Sequence, residues 1–350
     1  MPIAEYAEKV SKQSKLLYSL RVPTFFIEKA SIFAIGLKHW IIDFRMSKMA
    51  TTFLLGVGCQ KGGTTWVHDH LSRHPHCALG IAKEYHTFDV VASQQQRHML
   101  IRSMKRLRSN LEKAEGKLRK GDPIPLDGSK PLLKNADLTE KLLRNLRKVN
   151  FAFSHEDYVS YFSRLARPND VRITGDITPE YAVLKAEDYA EIRKMIEAQG
   201  DLKVKVLFMM RDPIERIFSS EKMNCRRLKQ SEEQAAINTI KKYKHPMNAP
   251  KSQFEKTIQG IEEVFDTDDV LYLFYEEMFK SHDVSALYDF LELDRLIEPD
   301  FGHNPLPSGT VKARLPEDGI AEMRQYFAPT YDFVAEKFGT DRIASIWKHF

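Results

Sequence analysis

A chain of 350 residues with 43% hydrophobic and 29% charged residues can bury a sizeable core and has the make-up of a soluble globular protein, which excludes disordered, fibrous and membrane-embedded classes. The formal net charge of +5 is modest but unevenly placed: residues 97–150 hold 15 Lys and Arg against 6 Asp and Glu, a net +9 that leaves the remainder at −4. Such a block reads as a solvated helical face, a landing site for an anionic substrate or a nucleic-acid patch, and no nucleic-acid-binding motif accompanies it.

At the N-terminus, Glu5 and Glu8 precede any apolar run, which does not match the basic-then-apolar order of a secretory signal. The charge-free stretch "ASIFAIGL" covers only residues 30–37, short of the roughly 18–20 residues of a membrane span. Residues 1–50 are therefore expected to form a helical extension, in which "VPTFFIEKASIFAIGLKHWIIDF" packs on the core or touches a membrane surface. Cys59, Cys77 and Cys225 are odd in number and lack CxxC spacing, so a disulfide framework and a zinc ribbon are not indicated and a reducing cytoplasm fits.

From residue 51 onward the pattern is that of an α/β domain. Apolar segments at 52–58, 171–175, 204–210 and 270–275 read as buried strands. Helical patterns separate them, the order that gives a mostly parallel sheet with crossover helices. "GDPIPLDGSKP" at 121–131 breaks the basic block into two helical stretches, an insertion over one end of the sheet. A last helical region begins near Pro316 and carries Phe327, Tyr331 and Val334 at helical spacing.

"VGCQKGGTTW" at 57–66 follows the first strand, and a glycine-rich turn entering a helix offers backbone N–H groups and a positive helix end to an anion. A nucleotide triphosphatase loop reads GxxxxGK[ST], with its hydroxyl on Mg²⁺. Here Gly58 and Gly63 have that separation, but Thr64 stands where the lysine would be and Lys61 comes three residues earlier. In "MMRDPIERIFSS" at 209–220, Asp212 suits an N-cap, Pro213 the first helical position and Glu215 a capping box. Arg211 then lies at a strand's carboxyl end, where open α/β sheets bind ligands, unless it merely pairs with Asp212 or Glu215. "AKEYHTFD" at 82–89 offers a carboxylate beside a cation, a base or an ordinary surface salt bridge. His68, His70, His74 and His76 cluster, but no HExxH or CxxC completes a metal site.

Together these stretches resemble the sulfotransferases that use 3′-phosphoadenosine 5′-phosphosulfate (PAPS). "QKGGTTW" is similar to the family's [PQ]K[SG]GTTW motif and "RDPIERIFS" to its RDPxxRxxS pattern. "KEYHTFD" resembles the KExxFFD stretch of the carbohydrate-modifying branch, with Thr87 replacing an aromatic, and "GDITPEY" at 175–181 resembles that branch's G-[ED]-x-[ST]-P-x-Y. The resemblance implies a P-loop-like three-layer fold and no required metal. It implies that Lys61 neutralises charge on the phosphate–sulfate bridge, assisted by Lys83. Gly62, Gly63, Thr64, Thr65 and Trp66 would hold the 5′-phosphosulfate side, and Arg211 and Ser219 the 3′-phosphate. Glu84 matches that branch's base; the branch acting on phenols and steroids uses histidine, which brings in His86. Lys312 or Arg314 in "SGTVKAR" would belong to the basic loop covering the 3′-phosphate. The acceptor would be a hydroxyl of an anionic glycan, a saccharide or a small alcohol. A kinase or ATPase, and an anion- or glycan-binding protein without catalysis, are the rival readings.

Overall fold

Runs of consecutive apolar residues cannot sit on a half-solvated sheet, so strands built from them need helices on both faces. The computed structural model meets this requirement. It describes residues 50–119, 136–198, 200, 202–302 and 313–350. The expected N-terminal extension, the 121–131 break and Lys312 lie outside the described residues. Five strands, β1 (Thr51–Gly58), β2 (Cys77–Ala78), β3 (Ile173–Ile177), β4 (Leu202–Met210) and β5 (Val270–Phe274), form one sheet in the order β2-β3-β1-β4-β5. Every pairing is parallel.

Alternate residues of the central strands feed two separate cores. Phe53, Leu55 and Val57 of β1 and Val204, Val206, Phe208 and Met210 of β4 enter one; Leu54, Leu207 and Met209 enter the other. The larger core is closed by α4 (His155–Leu165), α5 (Ala186–Glu197), α6 (Pro213–Arg227), α8 (Phe254–Glu262) and the terminal helices α11 (Glu317–Tyr326), α12 (Ala328–Phe338) and α13 (Thr340–Ile346). The smaller is closed by α1 (Thr64–Ser72), α9 (Tyr275–Ser281) and α10 (Ser285–Leu291). This is the three-layer α/β arrangement. The basic block supplies α2 (Arg97–Arg119) and α3 (Ala136–Phe153), which pack against each other. The helix α7 (Glu232–Lys242) packs on α6. Among the described residues no helix is long and apolar enough to cross a membrane.

Three local expectations are corrected. The β3 strand starts at Ile173 rather than 171, because the Val171 N–H turns back to the Pro168 carbonyl. The terminal helical region is two helices meeting at Phe327, which ends α11 and precedes the proline-containing first turn of α12. The Asp212–Glu215 capping box is half formed. Asp212 Oδ1 accepts from Ile214 N at 2.9 Å and Glu215 N at 3.1 Å, but the Asp212 N–H donates to Glu276 at 3.0 Å. Glu215 instead accepts from Lys348 and His349.

Gly175 lets β3 lie against β1. A Cβ there would stand 2.2 Å from the Leu54 carbonyl oxygen, at φ +151°. Gly175→Ala should therefore destabilise the chain by at least about 3 kcal/mol, since neither strand of a buried pair can shift. A melting temperature within a degree or two of wild type would contradict this account of the sheet.

Candidate active site

The β1–α1 loop runs into a helix start that no side chain caps. Gly63 is the N-cap of α1 in the left-handed region (φ 95°), and the first turn of that helix contains no acid. A Cβ at Gly63 would meet the Phe279 ring at 2.9 Å. Backbone N–H groups at such a bare helix start suit an anion. Lys61, also left-handed at φ 71°, places Nζ 3.8 Å from Met223 Sδ. Burial, followed by the positive charges of Arg211, Arg226 and Lys83, lowers its pKa to about 8.

Residues 81–89 are fixed from behind by tyrosines. Tyr161 and Tyr85 hydroxyls accept the Ile81 and Ala82 N–H groups. The Tyr181 hydroxyl accepts the Thr87 N–H at 3.1 Å and donates to buried Asp176 at 2.7 Å. From α3, Arg144 Nε donates to Ile81 O and Lys148 Nζ to Lys83 O, each at 3.2 Å. So held, the loop carries Glu84 (φ 61°) and His86 (φ 57°) in left-handed conformations. Glu84 pairs with Lys83. His86 is buried, with Nδ1 2.9 Å from Asp89 Oδ2 and Nε2 3.9 Å from Glu84 Oε2. Burial acts to lower the His86 pKa, but the Asp89, Glu180 and Glu84 carboxylates outweigh it and raise it.

The β4–α6 corner supplies the third wall. Arg211 Nη1 donates to the Lys61 carbonyl at 3.1 Å, and the guanidinium lies 4.3 Å from the Tyr275 ring centroid. Its buried Nε has no protein partner. The bland alternative, pairing with Asp212 or Glu215, is not made.

Behind these walls runs a polar chain that the sequence reading did not single out. Arg216, fully buried, donates to Ser252 Oγ at 2.5 Å, Asn248 O at 3.0 Å and Gln60 Oε1 at 3.5 Å. Gln60 Nε2 donates to Glu180 Oε1 at 2.9 Å, and Glu180 lies 3.5 Å from Lys251 Nζ. Gln60, Glu180 and Arg216 each stand inside a quoted motif, which is the one signal that could have found them.

A cavity of about 360 Å³ brings Lys61, Gly63, Thr64, Thr65, Trp66, Glu84, Arg211 and Ser219 onto one surface. A second chamber of about 600 Å³ adjoins it, sharing Gln60, Glu84, Glu180 and Met223 and adding His86. Lys83 and Gly62 line neither, and Arg314, exposed just before α11, lines neither. Trp66 is already engaged: its indole N–H donates to Asp300 O at 2.7 Å and its ring stacks on His70 and Phe301. Of the clustered histidines, His70 bonds to Tyr288, His74 to the Asp294 carbonyl and His76 to the Asp170 carbonyl. Glu84, His86 and Glu180 offer ligand atoms within 4.8 Å of one another, a donor set a cation could use; Lys83 and Lys251 already hold its two carboxylates.

A model of the sulfotransferase family matches residues 54–298. Among solved structures, a sulfotransferase from Alicyclobacillus acidocaldarius is 17% identical, over 82% of this chain and 96% of that one, with a TM-score of 0.49. The sulfotransferase domain of the Synechococcus PCC 7002 olefin synthase is 16% identical over 80% and 96%, with a TM-score of 0.40. A sulfotransferase from Mycobacterium avium is 13% identical over 82% and 77%, with a TM-score of 0.36. No curated protein matches.

Because Lys61 loses its proton near pH 8, anion binding in the smaller cavity should weaken as pH rises through that value. For adenosine 3′,5′-bisphosphate the loss should be roughly tenfold between pH 7 and 9, with proton uptake on binding at pH 8. Calorimetry in buffers of different ionisation enthalpy reads both. A pH-independent affinity would remove Lys61 from the binding surface.

Proposed function

The chain belongs to the sulfotransferase family, and from that premise we propose that it moves the sulfo group of PAPS to a hydroxyl of a saccharide or glycan. The observation that carries this reading is the single surface on which Lys61, the bare start of α1, Arg211, Ser219 and Glu84 meet. A triphosphate and Mg²⁺ would want a lysine after Gly63, and none is there. A lysine before the glycines suits one phosphate bridged to a sulfo group.

In the proposed reaction the 5′-phosphosulfate lies along Gly62, Gly63, Thr64 and Thr65, held by backbone N–H groups and hydroxyls. Arg211 and Ser219 take the 3′-phosphate, for which the unpartnered Arg211 Nε is a ready donor. The acceptor oxygen attacks sulfur in line from the second chamber. The bond from sulfur to the bridging oxygen breaks and its electron pair stays on the departing phosphate, where Lys61 meets the charge. Lys83 assists by holding Glu84, and Lys312 or Arg314 closes over the 3′-phosphate.

The acceptor proton goes to Glu84. This residue alone among the candidate bases lines both chambers. His86 faces only the second, where Asp89, Glu180 and Glu84 raise its pKa and so favour its charged form, and its Nδ1 is engaged with Asp89.

Lys61→Ala should lower kcat about 10³-fold with the melting temperature unchanged; near-normal transfer of labelled sulfate would sink the mechanism, and binding without any transfer by the wild-type chain would favour a non-catalytic binder. Glu84→Gln should cost roughly 10²–10⁴-fold in kcat while adenosine 3′,5′-bisphosphate binds normally. If that variant keeps its rate and His86→Gln loses it, the base is His86.

A further inference from the structure

The cations around the second chamber fall into two groups. Lys242 is 3.2 Å from Glu221, Lys251 is 3.5 Å from Glu180, and Lys148 donates to a backbone carbonyl. Away from the chamber, three cations of α2 and α3 are paired, Arg108 with Glu112, Lys141 with Asp137 and Arg144 with Glu140. Arg102 and Arg106, one turn apart on α2, and Arg227 at the end of α6 line the same chamber. Among the described residues, none of these three makes an ion pair. Burial, and then the charges of Arg227 and Arg106, push the Arg102 pKa down, so the three guanidinium groups repel one another across two helices. Three arginines without an ion pair that converge on one cavity leave a place for an anion.

Resting on the sulfotransferase reading above, we infer that Arg102, Arg106 and Arg227 bind an anionic group carried by the acceptor: a phosphate or sulfate ester, or a carboxylate. Glu84 marks the hydroxyl end of the chamber, where it meets the donor cavity, and the three arginines line the chamber but not the donor cavity. The acceptor is therefore a hydroxyl compound with a negative charge set apart from the reacting oxygen. Guanidinium forks match the planar or tetrahedral oxygens of such groups with two donors each. A neutral acceptor would leave the repulsion uncompensated.

The test is direct binding to the full chain saturated with adenosine 3′,5′-bisphosphate. The probes are glucose 6-phosphate, glucose 6-sulfate, glucuronate, glycerol 3-phosphate and uncharged glucose. The charged sugars should bind at least tenfold more tightly than glucose, and the advantage should shrink as salt is raised. Arg102→Gln with Arg106→Gln, and separately Arg227→Gln, should erase it while leaving bisphosphate affinity and melting temperature in place. Glycerol 3-phosphate binding as well as the sugars would assign the grip to the anion alone; weaker binding would add the saccharide ring. Charged sugars binding no better than glucose, or equal binding by the glutamine variants, would overturn the inference. Failure of the wild-type chain to bind the bisphosphate would instead overturn the donor assignment, because the two sites are read by different ligands.

Discussion

A guanidinium with no exposed surface dictates much of what surrounds it. Arg216 is fully buried, burial lowers its pKa to about 10, and its donors reach Ser252, Asn248 and Gln60. Leaving such a charge unpaired costs several kcal/mol, so the loop residue Gln60, the α6 helix and the segment before α8 must keep one geometry. Gln60 passes the constraint to Glu180, and Glu180 to Lys251. Lys61 follows Gln60 directly, and Arg211 bonds to the Lys61 carbonyl. The surface facing the smaller cavity is thus set from inside, by buried polar groups that hold one another.

Backbone strain tells a matching story. Among the described residues, six that are not glycine have positive φ. His282 and Glu292 end α9 and α10, and Lys229 follows α6, where left-handed residues commonly stop helices. The other three are Lys61, Glu84 and His86, at roughly 1–3 kcal/mol each. None of them ends a helix. Tyr85, Tyr161 and Tyr181 hold the second loop in that state by accepting N–H groups of its backbone.

The strands with long apolar runs were legible in the sequence because burial on both faces leaves no polar alternation to confuse the reading; 52–58 and 204–210 reappear as β1 and β4 nearly residue for residue. The two-residue β2 carries too little pattern to detect, and it exists because β3 offers it a parallel edge. At the site, the residues read from motif chemistry converge on one cavity: Lys61, Thr64, Thr65, Glu84, Arg211 and Ser219. Gln60, Glu180 and Arg216 were overlooked because each is defined by its partner, and partners 32 to 160 positions apart leave no local signature. The Glu215 capping box failed for a related reason. Glu276, 64 residues away, competes for the same N–H.

The bonds from Arg144 and Lys148 to the carbonyls of Ile81 and Lys83 make the wall of the larger chamber and the loop bearing Glu84 parts of one body. The carboxylate thus keeps its place relative to the α2–α3 pair through the backbone of the residue before it. On the proposed function, a molecule held against that wall is therefore registered relative to the carboxylate as it binds, so its grip and its orientation come from the same contacts.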